Sequence, residues 1–294
     1  MPSCLRLLAL CAGFALSLPL HAAEAPQRWV SAGGSLSEWI VALGGESKLV
    51  GVDSTSQHPA SLKSLASIGY QRQLSAEGIL SLRPQLLVGT EEIGPPPVLG
   101  QIKGAGVQVE MFSSAATLAA LQDNLEHLGR LLGDPQRAAV QLASYRQHLE
   151  QRQQWIAKAK VGHKAPGVIF LLGHVGAKPL VGGTDTAAGW LIEEAGGHNL
   201  ATNEGYKSFS VEMLAALDPD VIVYADRALD GDAALKALLK ENPVLAATKA
   251  AKTNRVIALD PTLLVGGLGP RLPDSIDALS AHFYPDAAQA AAAP

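Results

Sequence analysis

Cysteine is almost missing from this chain: Cys4 and Cys11 are the only two in 294 residues, and both fall within the first two dozen positions. Beyond them no disulfide framework and no thiolate metal or redox site is available. Nor is there an excess of basic charge. Lys and Arg number 23 against 27 Asp and Glu, giving −4 without basic runs, which argues against nucleic acid or an anionic membrane surface as partner. After the N-terminus no apolar run approaches the roughly 18 residues needed to cross a bilayer. No Gly-x-Ser-x-Gly elbow and no paired carboxylates suggest hydrolysis. His58, His127, His148, His163, His198 and His282 are scattered, with no spacing that resembles a His/Asp/Glu metal cage.

What is present begins with a leader. Arg6 supplies a positive charge, Leu7 to Leu20 runs apolar, and Leu20-His21-Ala22-Ala23 ends in small residues. Residues 1–24 thus read as a secretory signal peptide. The apolar stretch is short for a membrane anchor. Lipidation at Cys11 is disfavoured by the bulky Leu10 before it and by the few apolar residues that would precede the modified cysteine. Cleavage removes Arg6 and makes the net charge one unit more negative. The remaining chain, about 270 residues, exceeds one comfortable core and suggests two lobes.

The pattern along the chain supports that division. In residues 27–116 short apolar runs (28–31, 49–52, 86–89, 107–112) alternate with helical patterns at 35–43 and 75–82, the signature of a parallel α/β lobe. Residues 117–162 are polar and helical, interrupted at Gly133-Asp134-Pro135, where Asp134 is placed to cap a new helix and Pro135 to open it. That helix, predicted over 135–160, is too long for an ordinary crossover and reads as a stiff spacer. Alternation resumes in a C-terminal α/β lobe over 163–285, with strands expected at 167–172, 221–224 and 256–259. Residues 286–294, mostly alanine, read as a flexible tail.

An internal repeat relates the two lobes. Gly69-Tyr70, Ser75, Glu77, Leu82, Pro84 and Val88 recur as Gly205-Tyr206, Ser210, Glu212, Leu217, Pro219 and Val223, with one residue of slip after the tyrosine. Each serine is placed to cap a helix, each glutamate sits in its positive first turn, and each Leu-x-Pro stops it before a buried strand.

These motifs resemble the binding proteins that feed haem, cobalamin and siderophore importers. Tyr70-x-Arg72-x-Leu74-Ser75-x-Glu77, Gly182-Gly183-x-x-Thr186-Ala187-Ala188, Ala195-Gly196-Gly197-x-Asn199 and Gly267-Leu268-Gly269-Pro270-Arg271 are similar to the haem-carrying branch, the periplasmic proteins of haem-uptake ABC transporters. The resemblance implies two Rossmann-like lobes joined by one long α-helix, the class III periplasmic-binding-protein fold. It also implies a monomeric, non-enzymatic carrier, with haem as transported ligand and an inner-membrane ABC permease as partner. Cobalamin or a ferric siderophore on the same fold is the alternative ligand.

Residue by residue, the resemblance places Tyr70 as the axial ligand of the haem iron. A phenolate is a hard anionic donor suited to ferric iron, which itself favours loss of the phenol proton. The plainer alternative is a loop tyrosine with its hydroxyl in water. Arg227, just past the strand at 221–224, would hold the phenolate or a propionate; an arginine paired with Asp226 or Asp230 is the alternative. Arg72 is a second propionate candidate or a solvated side chain. His174, after the strand at 167–172, is a candidate second iron ligand or a cleft-edge histidine. Glu77 and Glu212 match the positions that dock onto permease arginines; as two solvated capping acids they need no partner. Gly182–Thr186 lacks the Gly-Lys-Ser/Thr ending of a nucleotide loop and reads as a turn into a helix capped by Thr184 or Thr186.

Overall fold

The computed structural model describes residues 25–173, 179–226, 229 and 231–292. The expected signal peptide and two site candidates, His174 and Arg227, lie outside these. Among the described residues no helix is long and apolar enough to cross a membrane.

The first lobe runs β1 (Trp29–Ala32), α1 (Gly34–Ala42), β2 (Leu49–Val52), β3 (Ala66–Ser67), α2 (Ala76–Ser81), β4 (Leu86–Thr90), α3 (Pro96–Gly104) and β5 (Gln108–Phe112). Its strands form one parallel sheet in the order β3-β2-β1-β4-β5. Central β1 and β4 are buried along their whole length, as a sheet covered by helices on both faces requires.

The connection consists of α4 (Leu118–Leu132) and α5 (Pro135–Ala159). Gly133 closes α4 in the left-handed region at φ 78°, and the Asp134 carboxylate accepts the Arg137 amide at 2.9 Å to open α5. At 1.5 Å per residue the 25 residues of α5 span about 37 Å. Its buried side chains, Ala138, Leu142, Tyr145, Leu149, Ile156 and Ala159, recur at helical spacing and make one stripe. They join a continuous apolar core running from Leu36 and Trp39 of the first lobe to Phe170 and Phe283 of the second. The polar spacer expected from composition is therefore a shared core element, wet only on its outer face.

The second lobe contains β6 (Gly167–Gly173), β7 (Leu180–Gly182), α6 (Ala187–Glu194), β8 (His198–Asn199), β9 (Tyr206–Ser208), α7 (Val211–Ala216), β10 (Val221–Asp226), α8 (Gly231–Glu241), α9 (Lys249–Lys252), β11 (Val256–Ala258) and α10 (Leu272–Phe283). The sheet order is β11-β10-β6-β7-β9, with β8 beside β6. β11, β10 and β6 are parallel, whereas β7 pairs antiparallel with both β6 and β9. Residues Pro285–Ala292 form α11 in place of the expected irregular tail; alanine is the strongest helix former and Pro285 stands at its first position.

The repeat extends into backbone geometry. Ser75 Oγ accepts the Gly78 amide and Ser210 Oγ the Met213 amide. Just past each helix the residue before proline is left-handed, Arg83 at φ 50° and Asp218 at φ 39°.

Candidate functional site

The residues that line the cleft between the lobes lie at or beyond the carboxyl ends of β2, β3, β10 and β11, where open α/β sheets hold ligands. In the first lobe the turn after β3 presents Tyr70. Gly69 adopts φ +83° with open space where a Cβ would lie, so glycine is needed there for its conformation. The Gly69 carbonyl accepts the Ser54 amide at 2.8 Å, and the Tyr70 carbonyl accepts the Gln73 amide at 2.8 Å. Gln71, buried next to it, anchors the turn from below through its carbonyl, which accepts the Gly94 amide. With its backbone fixed on both sides, the Tyr70 ring stands half-buried on the wall of an interlobe cleft of about 930 Å³. This volume is near the upper end for small-ligand sites. Its hydroxyl makes no hydrogen bond among the described residues. The paired tyrosine of the repeat diverges: Tyr206 lies in β9, its ring edge-on to Phe170 at 6.4 Å.

His58 and Lys63 join Tyr70 on the first-lobe wall, and Asp226, Leu259, Asp260, Pro261 and Val265 form the facing wall. Asp226, at the end of β10, accepts the Tyr224 hydroxyl at 2.6 Å and the Leu229 amide at 3.0 Å. Burial and the Asp226 carboxylate both push the Tyr224 phenol up, so it stays the donor. Gly173, the last residue of β6, lies against this pair: a Cβ there would sit 2.0 Å from the Tyr224 hydroxyl oxygen and 2.6 Å from Asp226 Oδ2. Burial raises the Asp260 carboxyl, but the Thr262 hydroxyl and amide and the Arg271 guanidinium outweigh it and hold it below the ordinary range.

A smaller hollow of about 350 Å³ lies at the C-terminal end of α5, lined by Lys164, Asp220, Lys249, Arg255 and Phe283 among others. It shares no lining residue with the Tyr70 cleft. Among the described residues no three His, Cys, Asp or Glu side chains gather into a metal-holding group.

Residues 30–263 match the family described as periplasmic binding protein. The chain is a periplasmic binding protein. Solved structures similar to this periplasmic binding protein include a periplasmic heme binding protein from Pseudomonas aeruginosa, 63% identical, covering 88% of this chain and 93% of that one at TM-score 0.87. Another is the periplasmic heme-binding protein RhuT from Roseiflexus sp. RS-1, 36% identical, covering 89% and 99% at TM-score 0.79. A cobalamin-binding protein of Halobacterium salinarum is 28% identical over 267 residues, 88% of this chain and 70% of its own. Family membership places the protein in the periplasm among carriers that take part in transport, not among enzymes.

Of the residues expected at the binding protein's site, Tyr70 lines the cleft. Arg72 is exposed, outside the cleft lining, and donates to Glu92 Oε1 at 2.6 Å. Glu77 and Glu212 are exposed in the first turns of α2 and α7. His174 and Arg227 are outside the described residues. Thr186 caps α6, accepting the Gly189 amide at 3.0 Å, while the Gly183 and Thr184 amides are taken by the carbonyls of Gly205 and Asn203. Sequence reasoning passed over His58, Lys63 and Asp260 because nothing local marks them. The available signal was position: each follows a strand of its sheet.

Proposed function

We propose that this protein captures haem in the cleft between its lobes and delivers it to an inner-membrane ABC permease. One observation carries the reading: the single phenol on the described cleft wall, Tyr70, stands with its hydroxyl unengaged at the carboxyl end of the first sheet. The 63% identity to the Pseudomonas aeruginosa protein supports the choice of ligand. Haem offers three handles: a ferric centre, an apolar plate and two carboxylates. Tyr70 supplies a hard oxygen donor for the first. Leu259, Pro261 and Val265 supply apolar surface for the second. For the propionates, Lys63 is a cationic group on the Tyr70 wall, facing the carboxylates of Asp226 and Asp260. Arg72 would have to leave Glu92 to serve there. Arg227 joins the set as partner of the phenolate or a propionate, and His174 as a second iron ligand.

Glu77 and Glu212 are the proposed docking points. They occupy equivalent first turns in related lobes, so they suit two arginines of a pseudo-twofold permease. Export by the N-terminal signal peptide and a monomeric carrier complete the reading.

Titration with hemin tests it. The wild type is expected to develop the red-edge charge-transfer band of a high-spin ferric tyrosinate, and Tyr70→Phe to lose that band with most of the affinity. An unchanged spectrum in Tyr70→Phe rejects the ligand assignment. Cobalamin, favoured by the 28% identical Halobacterium salinarum relative, is the second reading; saturation by cobalamin with no hemin spectrum would establish it.

A further inference from the structure

A polar network ties the two lobes together at the edge of the cleft. Glu38, on α1 of the first lobe, is only 5% exposed, yet it is ionisable. Arg271, which opens α10 of the second lobe, grips it in a fork: Nε lies 3.0 and 2.9 Å from the two carboxylate oxygens, and Nη2 lies 2.7 Å from Oε1. The same guanidinium donates from Nη1 to Asp260 Oδ2 at 2.8 Å and from Nη2 to Thr262 Oγ1 at 2.8 Å. Asp260 Oδ2 in turn lies 3.0 Å from Nε2 of His58, back on the first lobe. The chain of contacts therefore leaves the first lobe at Glu38 and re-enters it at His58.

Backbone contacts run beside it. The Ser35 amide donates to the Val265 carbonyl at 3.0 Å, and the Trp39 indole donates to the Leu268 carbonyl at 2.8 Å. The approach is close: a Cβ on Gly269 would lie 2.7 Å from Ser35 Oγ. Asp260, Thr262, Val265 and His58 are also cleft-lining residues. One end of the network is thus a bidentate charge pair whose carboxylate is buried, and the other is a half-exposed His–Asp contact facing the cleft.

We propose that Glu38, Arg271, Asp260 and His58 form a strap that fixes the 260–271 segment of the second lobe over the Tyr70 wall and so determines how long a ligand is retained. Arg271 and Asp260 act as positioning residues, and His58–Asp260 is the breakable, ligand-facing link. The fork holds register, because two parallel bonds from a planar guanidinium fix the orientation of the carboxylate they meet. The exposed link is weaker, since solvent competes for both partners. As to the ligand, this rests on the haem reading; as to the lobe contact, it does not.

Two variants test the strap, both chosen to leave the Glu38–Arg271 fork in place: Asp260→Asn, which keeps a side-chain oxygen for Thr262, and His58→Ala. In apo protein, hydrogen exchange at the Ser35 amide reads the interlobe contact directly. We expect it to accelerate about tenfold in Asp260→Asn, which also loses the Arg271 contact, and about threefold in His58→Ala, which breaks only the exposed link, while amides of buried β4 keep their protection. Haem transfer to excess apomyoglobin should accelerate by a similar factor, with the tyrosinate charge-transfer band unmoved. A uniform loss of protection in both lobes would reduce the network to general stability and overturn the proposal, as would faster Ser35 exchange with unchanged haem release. Unchanged exchange and unchanged release would also overturn it. Failure of wild type to take up haem would refute the ligand reading instead, leaving the exchange experiment to decide the strap.

Discussion

Replacing Gly173 with alanine tests how tightly the second-lobe wall of the cleft is packed. The added Cβ would fall 2.0 Å from the Tyr224 hydroxyl oxygen, 2.6 Å from the ring carbon bearing it and 2.6 Å from Asp226 Oδ2. None of these neighbours yields freely. Tyr224 and Asp226 are both buried, and Tyr224 packs among Ile169, Leu171 and Ile222. Overpacking of this kind costs about 1–3 kcal/mol. Displacing the tyrosine also breaks its bond to a charged acceptor, worth about 1.5–3 kcal/mol. A loss near 3 kcal/mol is expected, lowering the melting temperature by roughly 6–12 °C for a chain of this size. Urea denaturation followed by circular dichroism measures it. Gly69→Ala provides the contrast, because no atom lies within 4 Å of its Cβ and only the left-handed backbone is penalised, by about 1 kcal/mol. Adding Tyr224→Phe to Gly173→Ala removes the nearest atom and should recover about 1 kcal/mol relative to additivity. If Gly173→Ala proves no more harmful than Gly69→Ala, or the double variant shows no coupling, the steric argument is wrong.

Acid should weaken the fold only below about pH 4. Burial pushes the carboxyls of Asp220, Asp260 and Asp277 up, but Lys249 and the Gly167 amide, Thr262 and Arg271, and Arg152 and His148 respectively outweigh it, leaving all three below the ordinary range. Groups depressed in the folded state contribute fully above their unfolded value near 3.9 and lose that contribution as pH falls through the lower folded values. Urea midpoints should therefore be level from pH 7 to 5 and drop between 4 and 2; greater stability at pH 3 than at pH 6 would refute the assignment. Reversing the proposed docking charges with Glu77→Lys and Glu212→Lys should weaken binding to a reconstituted permease by about 2 kcal/mol each, roughly thirtyfold, while hemin spectra stay as in wild type. Undiminished permease binding would remove both glutamates from the interface.

Much of the architecture was legible because it is written in short-range chemistry. Ser75 and Ser210 announce their helices by capping them, Asp134-Pro135 marks the start of α5, and the apolar runs at 49–52, 86–89 and 167–172 each lie within a buried or mostly buried strand. β7 escaped because three residues carry too little periodicity to be told from a loop, and its antiparallel partner β9 is just as short. The apolar stripe of α5 was hidden by glutamines and arginines on its other face. At the candidate site, a motif singled out Tyr70, which lines the cleft, whereas the pairing of Glu38 with Arg271 joins positions 233 residues apart. No local pattern encodes such a contact; it exists only once the second lobe has folded back on the first. Arg271 stood in a recognisable Gly-Leu-Gly-Pro-Arg run, yet nothing in that run names its partner.

The long helix has a mechanical consequence. Because α5 contributes side chains to an apolar interior continuous through both halves, rotating one half about it would tear greasy surface open to water, not merely flex a joint. Thermal motion alone is then a poor means of opening the halves widely. A wide opening needs work done on both ends of the rod at once.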